Sequence, residues 1–534
     1  MTNLSEVFRR NLFTGVISLV AVGILMVCTS TLMFVHNPQK LIVKMILTLS
    51  DGSLFYKLWS APPFNIYLKI YIFNITNSKE FLAGKEKMNL TQLGPYIYRE
   101  ILTNQNATFN DSDGTVTYSP HREIVFDPDK SVRDPKKDHI MTTNLPLVGL
   151  QAYLNDASIF TNLAYSTVTR SLGSEPIMNV TVEQYLWGYK DPLIKYAHTL
   201  LPNWIDFDTF GIFERLMSRD NNNRVTIVTD PSKYHSKLDH LLTLEERMQE
   251  FHVVKWNNIS GLKDWGFETL WPHQVKKCNL VEGAFDGTIF PRDLPQNTTL
   301  TLFRKAFCRP VPLQYLRDTV GKEGFRQYEY KLADNMFDVT KENECFCFRN
   351  KCIKGFQSIA PCYYGIPITL SQPHYFNADP KMLETVNGLA PNESEHGSLC
   401  AIQPDIGVPL SGSMKIQINL DVGKTKGNSK TYRFNDLQVP LFWVEITTED
   451  LPSIVIFLLT LLCNVMPVAL EVIKYLLGLS GLALISGGAL YTLLKTKVRI
   501  PRSLSLGNNE YSPIPIVTLP AEFLEKCERR FSLK

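Results

Sequence analysis

Two stretches of this chain carry no charge, and they limit what the rest can become. Leu12 to Val35 runs for 24 residues without a charged side chain. As a helix it would extend about 36 Å, enough to cross a hydrocarbon layer of about 30 Å. It is too long for a signal-peptide core, and no small-residue cleavage site follows it. Tyr475 to Leu494 is a second uncharged stretch, of 20 residues. Arg9 and Arg10 precede the first; Lys495, Lys497, Arg499 and Arg502 follow the second. Basic residues on both outer flanks put both termini in the cytosol. The expected order is a cytosolic tail over 1–11, a transmembrane helix over 12–35, an ectodomain over 36–474, a second transmembrane helix over 475–494 and a cytosolic tail over 495–534.

Leu451 to Leu470 is also uncharged. Counting it as a span would leave only Glu471 to Lys474 as a connection and would send the basic tail outside. Pro452, Asn464 and Pro467 further disfavour a lipid-facing helix. It reads as an apolar juxtamembrane segment, packed on the ectodomain or lying on the membrane surface, with a re-entrant segment as the runner-up.

Glycosylation sequons agree with this topology. Asn74, Asn89, Asn106, Asn110, Asn179, Asn258, Asn297 and Asn392 all stand in Asn-x-Ser/Thr, and all lie between the two spans. Only Asn3 stands elsewhere. Five cysteines crowd between Cys308 and Cys362. The one-residue gap of Cys345-Phe346-Cys347 suits a zinc knuckle poorly, and an oxidising compartment favours disulfides. Cys28 and Cys463 lie in apolar segments, and Cys527 reads as a free cytosolic thiol.

Basic and acidic residues number 55 and 52, a net charge of +3, with no basic domain and no like-charge block. Nucleic acid is therefore not an expected partner. With 44% apolar and 20% charged residues, bulk disorder is excluded too.

Between the spans the pattern is mainly antiparallel β. Met414, Ile416, Ile418 and Leu420 alternate with Lys415, Gln417, Asn419 and Asp421, which predicts a strand with one buried face. Residues 66–73, 114–119, 224–229, 299–303, 326–332 and 439–446 are further strand candidates. Helices are expected over Leu147–Arg170, over Leu242–Phe251, and after the Asp379-Pro380 cap through Val386. No repeat or low-complexity linker divides the region.

Catalytic motifs are absent: no Gly-x-Ser-x-Gly, no His-Glu-x-x-His and no phosphate-binding loop. The ten histidines are scattered, and His374 and His396 read as structural or surface residues. No catalytic residue, no metal ligand set and no cofactor is expected.

Several segments resemble the class B scavenger receptor family, the superfamily of fatty-acid translocase, the lysosomal integral membrane protein and insect sensory neuron membrane proteins. They include Trp59 with Pro62-Pro63, Gly94-Pro95-Tyr96-Ile97-Tyr98-Arg99, Leu186-Trp187-Gly188-Tyr189-Lys190-Asp191-Pro192, Gly211-Ile212-Phe213, Cys308-Arg309, Pro373-His374 and Gly388 through His396. The resemblance runs from Leu12 to Lys495 and suggests an invertebrate member. It implies a large antiparallel β-barrel with added helices, an internal lipid tunnel and an apical helical bundle at about 144–196. It also implies a non-enzymatic cell-surface receptor. Such a receptor binds lipids, lipoproteins or lipid-carrying particles and passes fatty acid, sterol or carotenoid to the bilayer. Arg170, Glu175 and Trp187 fall in the implied apical ligand-binding region. Family members with a lysine cluster there attract anionic ligands. This chain has only Arg170, opposed by Glu175, which shifts the expected cargo toward neutral lipid.

By the same resemblance Cys278 pairs with Cys345, Cys308 with Cys362 and Cys347 with Cys352, leaving Cys400 over. Spacing alone leaves all 15 pairings of six cysteines open. Ala483 and Gly487, with Gly478, Gly481 and Gly488 nearby, suggest a homo-oligomer through the second span. Tyr511-Ser512-Pro513-Ile514 fits an endocytic sorting motif. The alternative reading is therefore an endocytic or lysosomal trafficking receptor, placed in a lysosomal or endosomal membrane rather than the plasma membrane.

Overall fold

The computed structural model describes residues 2–203, 205–218, 221, 223–267, 278–347 and 352–497. Tyr511, Ile514 and Cys527 lie outside these residues. The chain forms two units, residues 37–470 and residues 1–36 with 471–534.

Among the described residues, fifteen strands build the large unit: β1 (Ile66–Ile75), β2 (Leu90–Asn110), β3 (Thr115–Phe126), β4 (His139–Thr143), β5 (Ile177–Thr181), β6 (Val225–Val228), β7 (Val253–Trp256), β8 (Leu300–Arg304), β9 (Arg309–Val320), β10 (Arg326–Leu332), β11 (Gln357–Ser358), β12 (Ile368–Ser371), β13 (Leu399–Gln403), β14 (Val408–Asp421) and β15 (Gln438–Thr448). Thirteen of them form one antiparallel sheet in the order β7-β6-β3-β2-β1-β15-β14-β13-β10-β9-β8, with β12 added to β14 and β11 to β12. β4 and β5 pair separately. The ladder itself is open, with β7 and β8 as its edges. Both edges bond to the irregular segment 283–285. Val253 N donates to Ala284 O (2.7 Å), Phe285 N to Thr301 O (2.8 Å) and Phe303 N to Phe285 O (2.8 Å).

Every strand candidate of the sequence falls on an observed strand, but the alternation in β14 misleads about its surroundings. Over residues 415–420 both of its faces are buried. Lys415, Gln417 and Asn419 are as enclosed as Ile416, Ile418 and Leu420. The reason is position: β14 is an interior strand paired with β12, β13 and β15, and the segment at His374 bonds onto its polar face through Gln417.

The predicted helix over Leu147–Arg170 is broken in two. One helix is Leu145–Tyr153 and the next Ile159–Ser171. Between them the Asn155 side chain turns away to donate to Val422 O (2.8 Å). Ser158 then caps the second helix, its Oγ accepting from Thr161 N (3.1 Å). Of Leu242–Phe251 only Leu244–Arg247 is helical, closed at its start by the reciprocal Thr243–Glu246 capping box. Phe251 takes a φ of 64°, which a right-handed helix excludes. Gly388, at φ 95°, lies where an added Cβ would meet Leu90 O at 2.0 Å, so only glycine lets this loop dock on β2.

Two helices among the described residues are long and apolar enough to cross a membrane, Thr14–Val35 and Ser453–Leu494. The second holds an α-turn segment Ser453–Leu459, a wide π segment Thr460–Val465 and the helix Met466–Lys497. Pro467 has no N–H to give the preceding turn, which accounts for the widening just before it. Leu451, Val455, Leu459 and Leu462 face inward, in one cluster with Val43, Leu47, Phe55 and Trp59.

Within the smaller unit the two terminal helices pack on each other. A Cβ on Gly23 would meet Gly481 O at 2.8 Å, and one on Gly478 would meet Ser30 Oγ at 3.0 Å. Ser30 Oγ donates to Lys474 O (2.9 Å), and Phe34 meets Tyr475 edge-on at 5.6 Å. Gly478 and Gly481 thus serve the pairing inside one chain, whereas Gly487 has nothing within 4 Å. A Ser30→Cys/Gly478→Cys double variant should form an intramolecular disulfide on mild oxidation in isolated membranes. A Ser30→Cys/Gly487→Cys control should not.

Candidate functional site

The helical part of the large unit encloses an apolar pocket of about 790 Å³, part of it open to solvent. Two helices with interlocked caps form one side. Asn144 Oδ1 accepts from Leu147 N (3.1 Å) at the start of Leu145–Tyr153, and Asp191 Oδ1 accepts from Leu193 N (2.8 Å) at the start of Pro192–Leu200. Asn144 Nδ2 also donates to Asp191 Oδ2 (3.3 Å), so the two helix starts hold each other. Leu150, Ile194 and Ala197 line the pocket from these helices, Phe207 and Phe210 from the following loop, and Ile212 from the start of the helix after it. Tyr363, Ile368 and the inward Ile418 of β14 close the far side. Among the described residues, the only charged group in the lining is Arg215, on the helix Ile212–Ser218.

A second apolar pocket, of about 810 Å³, lies among the segments nearest in sequence to the terminal helices. Leu47, Leu58, Trp59, Pro63, Val455 and Leu458 are among its lining residues. The Trp59 and Pro62-Pro63 motif therefore builds this wall.

The sequence-predicted residues scatter. Arg170 is exposed at the end of its helix, and Glu175 is exposed and paired with Lys430 (2.7 Å). Trp187 packs between Tyr98 (5.4 Å) and Phe213 (5.5 Å). None of the three lines either pocket. Disulfides join Cys278 to Cys345, Cys308 to Cys362 and Cys347 to Cys352, and Cys400 is buried and free. Asn106, Asn110, Asn179, Asn258, Asn297 and Asn392 are exposed; Asn74 and Asn89 are half-buried. Among the described residues no three His, Cys, Asp or Glu side chains gather as a metal-binding group. Sequence reasoning missed Asn144, Asp191, Glu214 and Arg215. Asp191-Pro192 carries the same cap signature that is legible at Asp379-Pro380, and would have marked one wall.

The polar face of β14 forms a closed hydrogen-bonded layer. His374 N donates to Gln417 Oε1 (2.7 Å), Gln417 Nε2 to Asn419 Oδ1 (2.7 Å) and Asn419 Nδ2 to Ser371 Oγ (3.0 Å). His374 and His396 stack at 4.4 Å. Ala390 N donates to His374 Nδ1 (3.1 Å), so the ring proton sits on Nε2 and is donated to Gln92 Oε1 (2.7 Å). His396 Nδ1 likewise accepts from Asn392 N (2.9 Å). Neither ring can take a second proton without losing a backbone donor. Burial, and then His396 beside it, pull His374 down to about 4. Burial lowers His396 too, against the opposing effect of Glu395. His252 is drawn to about 4 by burial and by His235.

These histidines bind protons less readily folded than unfolded. Their stabilising effect is complete above about pH 6.5 and falls as pH drops toward 4. The thermal midpoint of the purified chain should therefore decline between pH 6.5 and 4. His374→Gln should shallow that decline, as a pH series of melting curves would show.

The sequence profile of the CD36 family matches residues 16–492. Scavenger receptor class B member 1 of Cricetulus griseus is 31% identical over 483 residues, 88% of each chain. The Mus musculus protein of that name is 30% identical over 474 residues, 87% of each chain. Lysosome membrane protein 2 of Homo sapiens is 28% identical over 427 residues, 79% of this chain and 83% of its own length. The profile match takes in both terminal helices and the whole sheet between them, and on that extent the chain belongs to the CD36 family, the class B scavenger receptors.

Proposed function

We propose that this chain is a two-span membrane receptor that binds lipids or lipid-carrying particles and passes hydrophobic cargo to the bilayer without catalysis. The observation that carries this reading is the pair of apolar pockets. One lies among the helices of the large unit, and the other among segments that run directly into the two apolar helices. Lipid leaving water gains about 0.8 kcal/mol per buried methylene, so an apolar route spares it the return to solvent. Family membership supports a scavenger-receptor, lipid-binding role.

On this reading the sheet closes as a barrel around the route. The bonds of 283–285 to both edge strands support closure, as does the Arg304 to Glu100 ion pair (2.7 Å) from β8 to β2. The helical region between 144 and 196 is the outer, ligand-facing end. Both termini are cytosolic and the sequons face outward. Nothing in the route requires an energy source, so net transfer follows the lipid gradient. The plasma membrane is the proposed site of action.

Filling either pocket tests the route. Ala197→Trp in the first and Leu458→Trp in the second should each cut uptake of a labelled lipid from particles by about half or more, because a bulky side chain takes up the apolar space of the lining. Surface level and particle binding should stay as in the native chain. Unchanged uptake in both variants would favour a docking or trafficking receptor, acting through the tail motif at Tyr511.

A further inference from the structure

We propose that the adjacent pair Glu214 and Arg215 sets the charge selectivity of the helical pocket, admitting uncharged lipids and rejecting carboxylates. The proposal rests on the lipid-receptor reading and names the class of cargo.

Arg215 is the one charged residue in the pocket lining among the described residues. Its guanidinium lies over the Phe207 ring, 4.4 Å from the centroid, and Phe207 is itself a lining residue. Left free, that cation would be a ready anchor for a fatty-acid headgroup, with the acyl chain in the apolar space behind it. It is not free. Glu214 takes it in a bidentate pair, Arg215 Nε donating to Oε2 and NH2 to Oε1 (2.6 Å). The pair is about three-quarters buried, at 23% and 30% side-chain exposure, so solvent screens it only in part.

The tyrosine hydroxyls of the lining are committed, and the nearest acidic groups lie just outside it. Tyr363 OH donates to Ala306 O (2.6 Å), and Tyr364 OH reaches Asp206 Oδ1 (3.5 Å). Asp206 and Asp208 are exposed in the same loop as Phe207. A carboxylate ligand must therefore displace Glu214 or bring a second negative charge beside it, while giving up its own hydration. An uncharged lipid, such as a sterol, a steryl ester or a carotenoid, meets neither cost.

The test uses the full chain in lipid nanodiscs, with tritiated cholesterol and tritiated oleate as probes. The native protein should bind cholesterol saturably and oleate about tenfold or more weakly, the scale of one charge-assisted hydrogen bond. Glu214→Gln should tighten oleate by a similar factor and leave cholesterol unchanged. Arg215→Met should leave oleate weak, and a melting midpoint matched to the native chain guards against a folding defect in either variant. Oleate binding as tightly as cholesterol to the native chain would overturn the proposal. So would a Glu214→Gln variant with native melting behaviour and unchanged oleate affinity. If the native chain binds neither probe, the lipid-receptor reading falls as well.

Discussion

Over residues 415–420 strand β14 has no face on water, and the hydrogen bonds of its polar side hold the large unit in register. Gln417 and Asn419 are fully enclosed. An enclosed amide without a partner would cost about 1–3 kcal/mol, so each must be met from a neighbouring element. Asn419 is met by Ser371 on β12, and Gln417 by the backbone of His374. His374 in turn bonds Gln92 on β2, which also accepts from Trp443 Nε1 on β15 (2.7 Å). Segments some 350 residues apart in sequence are thus fixed by one layer of amides and imidazoles. Such a layer stabilises one arrangement only, because a slipped register would leave several donors unmet at once.

The same strand connects this layer to the helical pocket. Ile418 points the opposite way from Gln417 and Asn419 and forms part of the pocket wall. The wall beside it is stapled. Cys362, bonded to Cys308, immediately precedes the lining residues Tyr363 and Tyr364. The facing wall has no covalent brace and depends on the Asn144–Asp191 cap contact. Pocket shape is therefore set by a rigid sheet and cystine side and a helical side held by a few hydrogen bonds. Local opening costs least where such bonds are few, which puts the softer wall among the helices.

Arg309 shows how far the cystine region departs from an ordinary core. It is almost fully buried, and burial lowers its guanidinium to about 9. Its Cζ lies 3.9 Å from the centre of the Phe346 ring, between Cys345 and Cys347, and its Nε donates to Pro310 O (3.3 Å). A desolvated cation over an aromatic face regains part of its lost hydration. The Cys308-Arg309 and Cys345-Phe346-Cys347 motifs are thus two halves of one contact.

Motif and periodicity make part of this architecture legible in the amino-acid sequence. The two apolar helices follow from runs of uncharged residues, and seven of the fifteen described strands meet a candidate read from local pattern. Three features do not follow, each for a physical reason. Alternation in β14 reports that successive side chains point to opposite sides; it does not report which side meets water. Lys415, Gln417 and Asn419 read as a solvated face because polar residues usually are, and the segment that covers them comes from elsewhere in the chain. The helix expected through Leu147–Arg170 breaks at Asn155, whose side chain finds a better acceptor in the distant Val422 than in its own turn. The pocket itself draws its lining from residues between Leu145 and Ile418, so no window of local sequence contains it. Glu214 and Arg215 look like any neighbouring pair of opposite charges. Their meaning comes only from Phe207 and the apolar walls around them, because a charge largely shielded from water acts more strongly than the same charge on a fully exposed helix face.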